Sequence, residues 1–139
     1  MAETSFHLEI ITPEHAFFIG TAQSLVIPTP GGQLGVLRGH VPMVTTLDIG
    51  TMRICVDHIW KTAFISEGFA DINTDEVFVF AQAAEWPEEI DMHRAEEAQE
   101  RAQERLRRQL SQREYAWSTT ALARARVRIR VGANRSFEE

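Results

Sequence analysis

Four glycines, a proline and a histidine fall within the run Gly31-Gly32-Gln33-Leu34-Gly35-Val36-Leu37-Arg38-Gly39-His40-Val41-Pro42, and this run limits the fold more than any other part of the chain. Glycine at that density supplies positive φ angles and close backbone approach, so the segment reads as tight turns joining short strands. It continues through Met43-Val44-Thr45-Thr46-Leu47 to Gly50. It carries no phosphate-loop lysine and no nucleophile beside a base, so catalysis is not what the glycines serve.

The flanking sequence agrees with a β fold. Phe6, Leu8 and Ile10 alternate with His7 and Glu9, the pattern of a half-buried strand ending at Thr12-Pro13. Phe17-Phe18-Ile19 precedes Gly20, and Leu25-Val26-Ile27 runs to Pro28-Thr29-Pro30, whose prolines are expected to close it. Met52, Ile54 and Val56 alternate with Arg53 and Cys55, and Asp57-His58 reads as a hairpin turn into Ile59-Trp60-Lys61-Thr62-Ala63-Phe64-Ile65. Phe69-Ala70-Asp71-Ile72 and Val77-Phe78-Val79-Phe80 flank a polar turn at Asn73-Thr74-Asp75-Glu76. Many short strands with regular turns mean an all-β sandwich or barrel over the first eighty-odd residues.

The pattern changes at Ala84-Glu85-Trp86-Pro87-Glu88-Glu89, where proline ends strand character. Asp91 is placed to cap a helix, with Ile90 and Ala95 spaced for a hydrophobic staple. Ala95, Ala98, Ala102, Leu106 and Leu110 then recur at three- and four-residue spacing, an apolar stripe built mostly of alanine. Glu97 with Arg101 and Glu104 with Arg108 are i,i+4 pairs in the favoured order. The last element has two readings. Ala123-Arg124-Ala125-Arg126-Val127-Arg128-Ile129-Arg130-Val131 alternates as a strand would, whereas Tyr115, Leu122, Ala125 and Ile129 suit one helical face. An alanine stripe buries little area per turn, so a hairpin of two such helices is expected to be marginally stable and mobile.

Composition sets the remaining limits. A hydrophobic fraction of 44% supports a real core, and no apolar run reaches the roughly eighteen residues a membrane-spanning helix requires. Met1-Ala2-Glu3-Thr4-Ser5 lacks the basic and apolar regions of a signal peptide. The single cysteine, Cys55, lies in a strand pattern without an activating base and reads as a structural thiol in a reducing compartment. Net charge is −6, but its distribution matters more: residues 105–135 hold one acidic side chain and nine arginines, after eight acidic and two basic side chains in residues 85–104. Either this last third meets an acidic surface or its opposite charges attract within a helix pair. The five histidines are scattered singly, without metal-ligand spacing, and the carboxylates lie in turns and on a helix face, so no enzyme site is indicated. The rival reading, a β-sandwich binding module with an Arg-rich nucleic-acid tail, lacks stacking aromatics beside the arginines.

In its extended form the glycine segment resembles the signature of the epsilon subunit of F-type ATP synthases, Gly-x-Leu-Gly-[Ile/Val]-x-x-x-His-x-Pro followed by Thr and a later Gly. The resemblance extends to the opening strand at Leu8-Glu9-Ile10-Ile11-Thr12, to Glu67-Gly68-Phe69-Ala70 and to the helical C-terminus. It implies α+β content: an N-terminal ten-stranded β-sandwich over residues 1–86, followed by a C-terminal antiparallel two-helix hairpin over residues 87–139. It also favours helix for the last element.

The resemblance further implies a non-catalytic rotor subunit that couples rotation, with no required cofactor. The sandwich would bind the gamma subunit and the c-ring, with Gly31, Gly32 and Gln33 facing the ring and His40 near gamma. The helices would inhibit ATP hydrolysis by extending to the beta and alpha subunits, with Arg124, Arg126, Arg128 and Arg130 as the basic surface. Membrane association would come through the complex only, at the cytoplasmic face of a bacterial membrane. Some bacterial members bind ATP through [Ile/Leu]-Asp-x-x-Arg-Ala, matched here by Ile90-Asp91-Met92-His93-Arg94-Ala95. Glu85, Ile90, Asp91, Arg94, Ala95, Arg101, Arg124 and Arg128 are the candidate ATP residues, with magnesium dependence open. Alternatively, Asp91 only caps the helix and Arg94 pairs with Glu97. Lys61 is the only lysine, and the arginine density of the last element departs from the mixed composition of other members.

Overall fold

A computed structural model describes residues 4–108 and 111–133. They divide into two compact units, one ending at Glu85 and one beginning at Trp86. The first contains ten strands in two five-stranded sheets. One sheet has the order β2 (Ala16–Ala22), β1 (Phe6–Ile11), β9 (Glu76–Ala81), β8 (Gly68–Ile72), β5 (Met43–Leu47). The other runs β10 (Ala84–Glu85), β7 (Ile59–Ile65), β6 (Gly50–Val56), β3 (Ser24–Thr29), β4 (Gly32–Val36). All ladders are antiparallel except β1 with β9, which brings the opening strand beside the ninth.

Period-two patterning explains why these layers form. Leu8 and Ile10 of β1, Val77 and Val79 of β9, Leu25 and Ile27 of β3, and Met52 and Ile54 of β6 are all within 1% of full burial. Each such side chain contributes about 1.5–3 kcal/mol of burial free energy. Pro28 lies inside β3 rather than ending it. It is accommodated because β3 pairs with β6 only as far as Val26 opposite Arg53, so no N–H is required of Pro28 on that side. Asp57-His58 forms the expected turn between β6 and β7, with φ of 52° and 65°. The Gln23 side chain holds it, its Oε1 accepting from the His58 N–H at 2.7 Å and from the buried Cys55 thiol at 3.7 Å.

Gly68 shows what the start of β8 demands where it lies against the end of β9. It pairs with Ala81, and a Cβ there would run into the Phe80 carbonyl oxygen and lie 2.8 Å from Ala81 Cα. Backbone atoms cannot swing aside as a flexible side chain would.

The second unit begins with a 3-10 turn at Pro87–Glu89, followed by α1 (Met92–Leu106) and α2 (Gln112–Ala133). Asp91 is the N-cap of α1, its Oδ1 accepting from the Arg94 N–H at 3.0 Å. The alternating arginine run is therefore helical. Ser118, Leu122, Ala125 and Gly132 are buried at helical spacing. Tyr115 departs from the expected face and is 58% exposed, because it lies in the first turn of α2, ahead of Ser118, the first buried residue. On α1, Ala95 and Ala102 are buried, Ala98 and Leu106 are partly so, and Leu110 lies outside the described residues. The helices run antiparallel: Gly132 near the end of α2 meets Met92 and Ile90, while Arg105 near the end of α1 stacks its guanidinium 5.2 Å from the ring centre of Trp117.

Gly68→Ala is expected to lower unfolding stability by about 3 kcal/mol through forced backbone displacement. Gly35→Ala, where a Cβ meets nothing within 4 Å, should stay within about 0.5 kcal/mol of the parent. Urea titrations of the two variants read the difference.

Candidate functional site

The glycine segment makes two surfaces in succession. Between β3 and β4 the chain reverses at Pro30-Gly31, with Thr29 paired to Gly32. Gly32 has φ 118°, and the Thr29 hydroxyl donates to its carbonyl at 2.6 Å. Gly31, Gly32 and Gln33 are all exposed at this tip. After β4 the chain leaves the edge of one sheet and, through residues 37–42, reaches β5 at the edge of the other.

That crossover is held by its own backbone. Gly39 has φ 89° and donates its N–H to the Thr74 carbonyl at 2.7 Å; the His40 N–H donates to Leu37 at 3.1 Å. The His40 ring bonds locally, Nδ1–H donating to the Val41 carbonyl at 2.8 Å. Around it Leu37, Val41 and Val44 are 60%, 72% and 68% exposed. Sequence reasoning marked His40 here and missed the apolar side chains: Leu37 and Val41 lie in the crossover, outside any strand, and Val44 is on the face of β5 opposite buried Leu47. Three large aliphatic groups at one crossover form the kind of patch that marks a partner surface.

The second candidate region lies on the helices. Ile90 and Ala95 are buried, Asp91 serves as cap, and Arg94 and Arg101 are exposed on α1. Glu97 turns to His93, with Oε1 2.9 Å from Nε2, and forms an ion pair with neither Arg101 nor Arg94; Glu104 does pair with Arg108 at 3.3 Å. His93 is one turn before Glu97, where its short ring reaches the carboxylate directly. On α2, Arg124 and Arg128 share one side and are partly buried, whereas Arg126 and Arg130 share another and are exposed. A strand would have put all four on one face; at about 100° per residue the helix divides them into two pairs. Glu85 ends β10 in the first unit, paired with Phe64.

Gly132 and Met92 carried no weight in the sequence, although a glycine within a helical pattern signals close approach of another element. Among the described residues no group of three His, Cys, Asp or Glu side chains could hold a metal ion, and no helix is long and apolar enough to cross a membrane.

Comparison with known proteins covers almost the whole chain. The family described as ATP synthase, Delta/Epsilon chain, beta-sandwich domain matches residues 5–87, and its long alpha-helix domain matches residues 88–132. The ATP synthase epsilon chain of Caldanaerobacter subterraneus subsp. tengcongensis is 42% identical over 132 residues, covering 94% of this chain and 96% of the relative. That of Ruminiclostridium cellulolyticum is 45% identical over 125 residues, covering 90% and 93%. Among solved structures, a chain of the Euglena gracilis mitochondrial ATP synthase superposes with a TM-score of 0.78 at 24% identity, covering 88% of this chain and 78% of that one. A chain from the Tetrahymena thermophila mitochondrial ATP synthase central stalk and c-ring gives 0.68 at 9% identity, covering 91% and 96%. These two likenesses concern the fold alone.

The cap geometry of α1 has a direct consequence. Asp91→Ala should cost the hairpin about 1 kcal/mol and Asp91→Asn only a few tenths, since asparagine caps as well as aspartate. Amide exchange in the first turn of α1 measures both.

Proposed function

The chain belongs to the epsilon chains of ATP synthase, and from that premise we propose that it rides on the central stalk, performs no chemistry itself, and brakes ATP hydrolysis through its helices. The observation that carries this reading is the family likeness running continuously through both units, from residue 5 to residue 132. As a stalk subunit it would lie at the cytoplasmic face of a bacterial membrane, held there by the complex.

Two surfaces support the attachment. The crossover patch of Leu37, Val41 and Val44 beside His40 suits the gamma subunit: burying three exposed aliphatic side chains drives association, and the backbone-anchored loop presents them without reorganisation. The Pro30-Gly31 tip suits the c-ring, because Gly31 and Gly32 carry no side chain and Gln33 brings a polar amide to a close backbone approach.

The brake is assigned to α2. Arg126 and Arg130 are exposed on one side of that helix and would meet carboxylates of the beta subunit by charge-assisted bonds. ATP is the proposed ligand of the folded hairpin, through Asp91, Arg94 and Arg101 on α1 and Arg124 and Arg128 on α2. Guanidinium groups suit a triphosphate, and a ligand bound only to the folded hairpin would stabilise it by mass action. The small side chains along the helix pair leave room for that contribution to matter.

Calorimetric titration of the full chain with ATP, with and without magnesium, should show saturable binding, and Arg94→Ala should weaken it at least about tenfold, near 1.4 kcal/mol. No heat at millimolar ATP would remove the sensing role and leave the stalk assignment in place. For the rotor surface, Val41→Asp should abolish copurification with gamma while leaving the thermal transition of the chain within about 2 °C, since Val41 is exposed.

A further inference from the structure

At the end of the helical hairpin away from its connecting loop, a thioether is seated on a glycine. The Met92 sulfur occupies the place a Cβ would take on Gly132, with Met92 Cγ 3.5 Å and Ile90 Cγ2 3.4 Å from that position. Gly132 is buried near the end of α2, Ile90 is buried just ahead of α1, and Met92 itself is partly exposed. The other buried positions of the two helices are Ala95 and Ala102 on α1 and Ser118, Leu122, Ala125, Val127 and Val131 on α2. A flexible, unbranched side chain seated on a glycine is thus one of the contacts by which the two helices meet at this end.

We propose that Met92 is an oxidation site and that its conversion to the sulfoxide opens the hairpin. The reagent is a peroxide. The thioether sulfur attacks one peroxide oxygen, the O–O bond breaks, an S–O bond forms, and hydrogen peroxide leaves as water; sulfur is oxidised by two electrons and the peroxide reduced by two. Partial exposure gives the reagent access. The product is a polar, chiral group in a seat whose near neighbours are Gly132 and an aliphatic carbon of Ile90. The added oxygen is bulkier and polar against a glycine and an aliphatic carbon, so it turns towards water and the sulfur leaves the glycine. Met52 is fully buried and protected, whereas Met43 is 39% exposed and would be oxidised as well, far along the chain in β5. Because sulfoxide formation is enzymatically reversible, the opening is reversible too. This inference requires neither ATP nor the assembled synthase.

The test is hydrogen peroxide treatment of the purified full chain, followed by peptide mass spectrometry and amide hydrogen exchange. A single added oxygen on the Met92 peptide should coincide with exchange at least about tenfold faster in residues 92–95 and 129–133, with the strands β1, β6 and β9 unchanged. Methionine sulfoxide reductase should restore protection, Met43→Leu should leave the response intact, and Met92→Leu should abolish it. Absence of oxidation at Met92, oxidation there with unchanged exchange, or a full response in Met92→Leu would each overturn the proposal.

Discussion

The crossover from β4 to β5 is the constraint on which the sandwich depends. It joins the edge strand of one sheet to the edge strand of the other, so it must span an inter-sheet gap of about 10 Å. Residues 37–42 can reach roughly 20 Å when extended, about twice the gap, so the crossover has length to spare and its path is set by turns and hydrogen bonds. Gly39 takes a positive φ within that span and gives its N–H to Thr74, which ties the crossover to the turn between β8 and β9. One loop thus links the two sheets and, in the same residues, holds Leu37, His40 and Val41 at the surface. Scaffold and contact surface share a cause, which is why a partner site can be rigid there without costing the core anything.

Much of this was legible in the residues, for reasons that differ by element. The alternation in β1, β6 and β9 reports one buried face, and that is a local property of sequence. The parallel pairing of β1 with β9 is not local: nothing in either strand names the other, and only the closed set of ladders does. β10 escaped notice because two residues are too few to show a period, and its existence rests on pairing with Ile65 and Phe64. α2 was ambiguous for a physical reason. Small and arginine residues in alternation satisfy a strand template, yet alanine and arginine are also strong helix formers, and pairing with α1 decides the matter. At the candidate sites, the residue types of the glycine tip and of the α1 cap could be read in advance. The outward turn of Leu37, Val41 and Val44 and the seating of Met92 on Gly132 could not, because both depend on contacts remote in sequence.

The two units differ in how their stability is built, and the difference bears on function. The sandwich buries large aliphatic side chains on facing sheets, each worth a substantial fraction of a domain's net stability. The buried positions of the helix pair are mostly small, with alanine, serine and glycine prominent among them. Equal numbers of contacts between small groups remove much less apolar area from water. Under the proposed function, a body that turns with the stalk benefits from the first design, and an arm that separates benefits from the second.

A weak seam also changes what can control it. A ligand or modification shifts an equilibrium only by its differential free energy for the two states, commonly a few kcal/mol. Against the sandwich core such an increment counts for little; against a helix pair whose buried positions are mostly small it counts for more. The arrangement of arginines follows the same logic. Because the helix splits them into an exposed pair, Arg126 and Arg130, and a partly buried pair, Arg124 and Arg128, one helix can present charge outward while the other pair serves the folded form. A strand with all four on one face would have to choose between those uses. Helical periodicity is therefore what gives a single arginine run two distinct faces, one exposed and one partly buried.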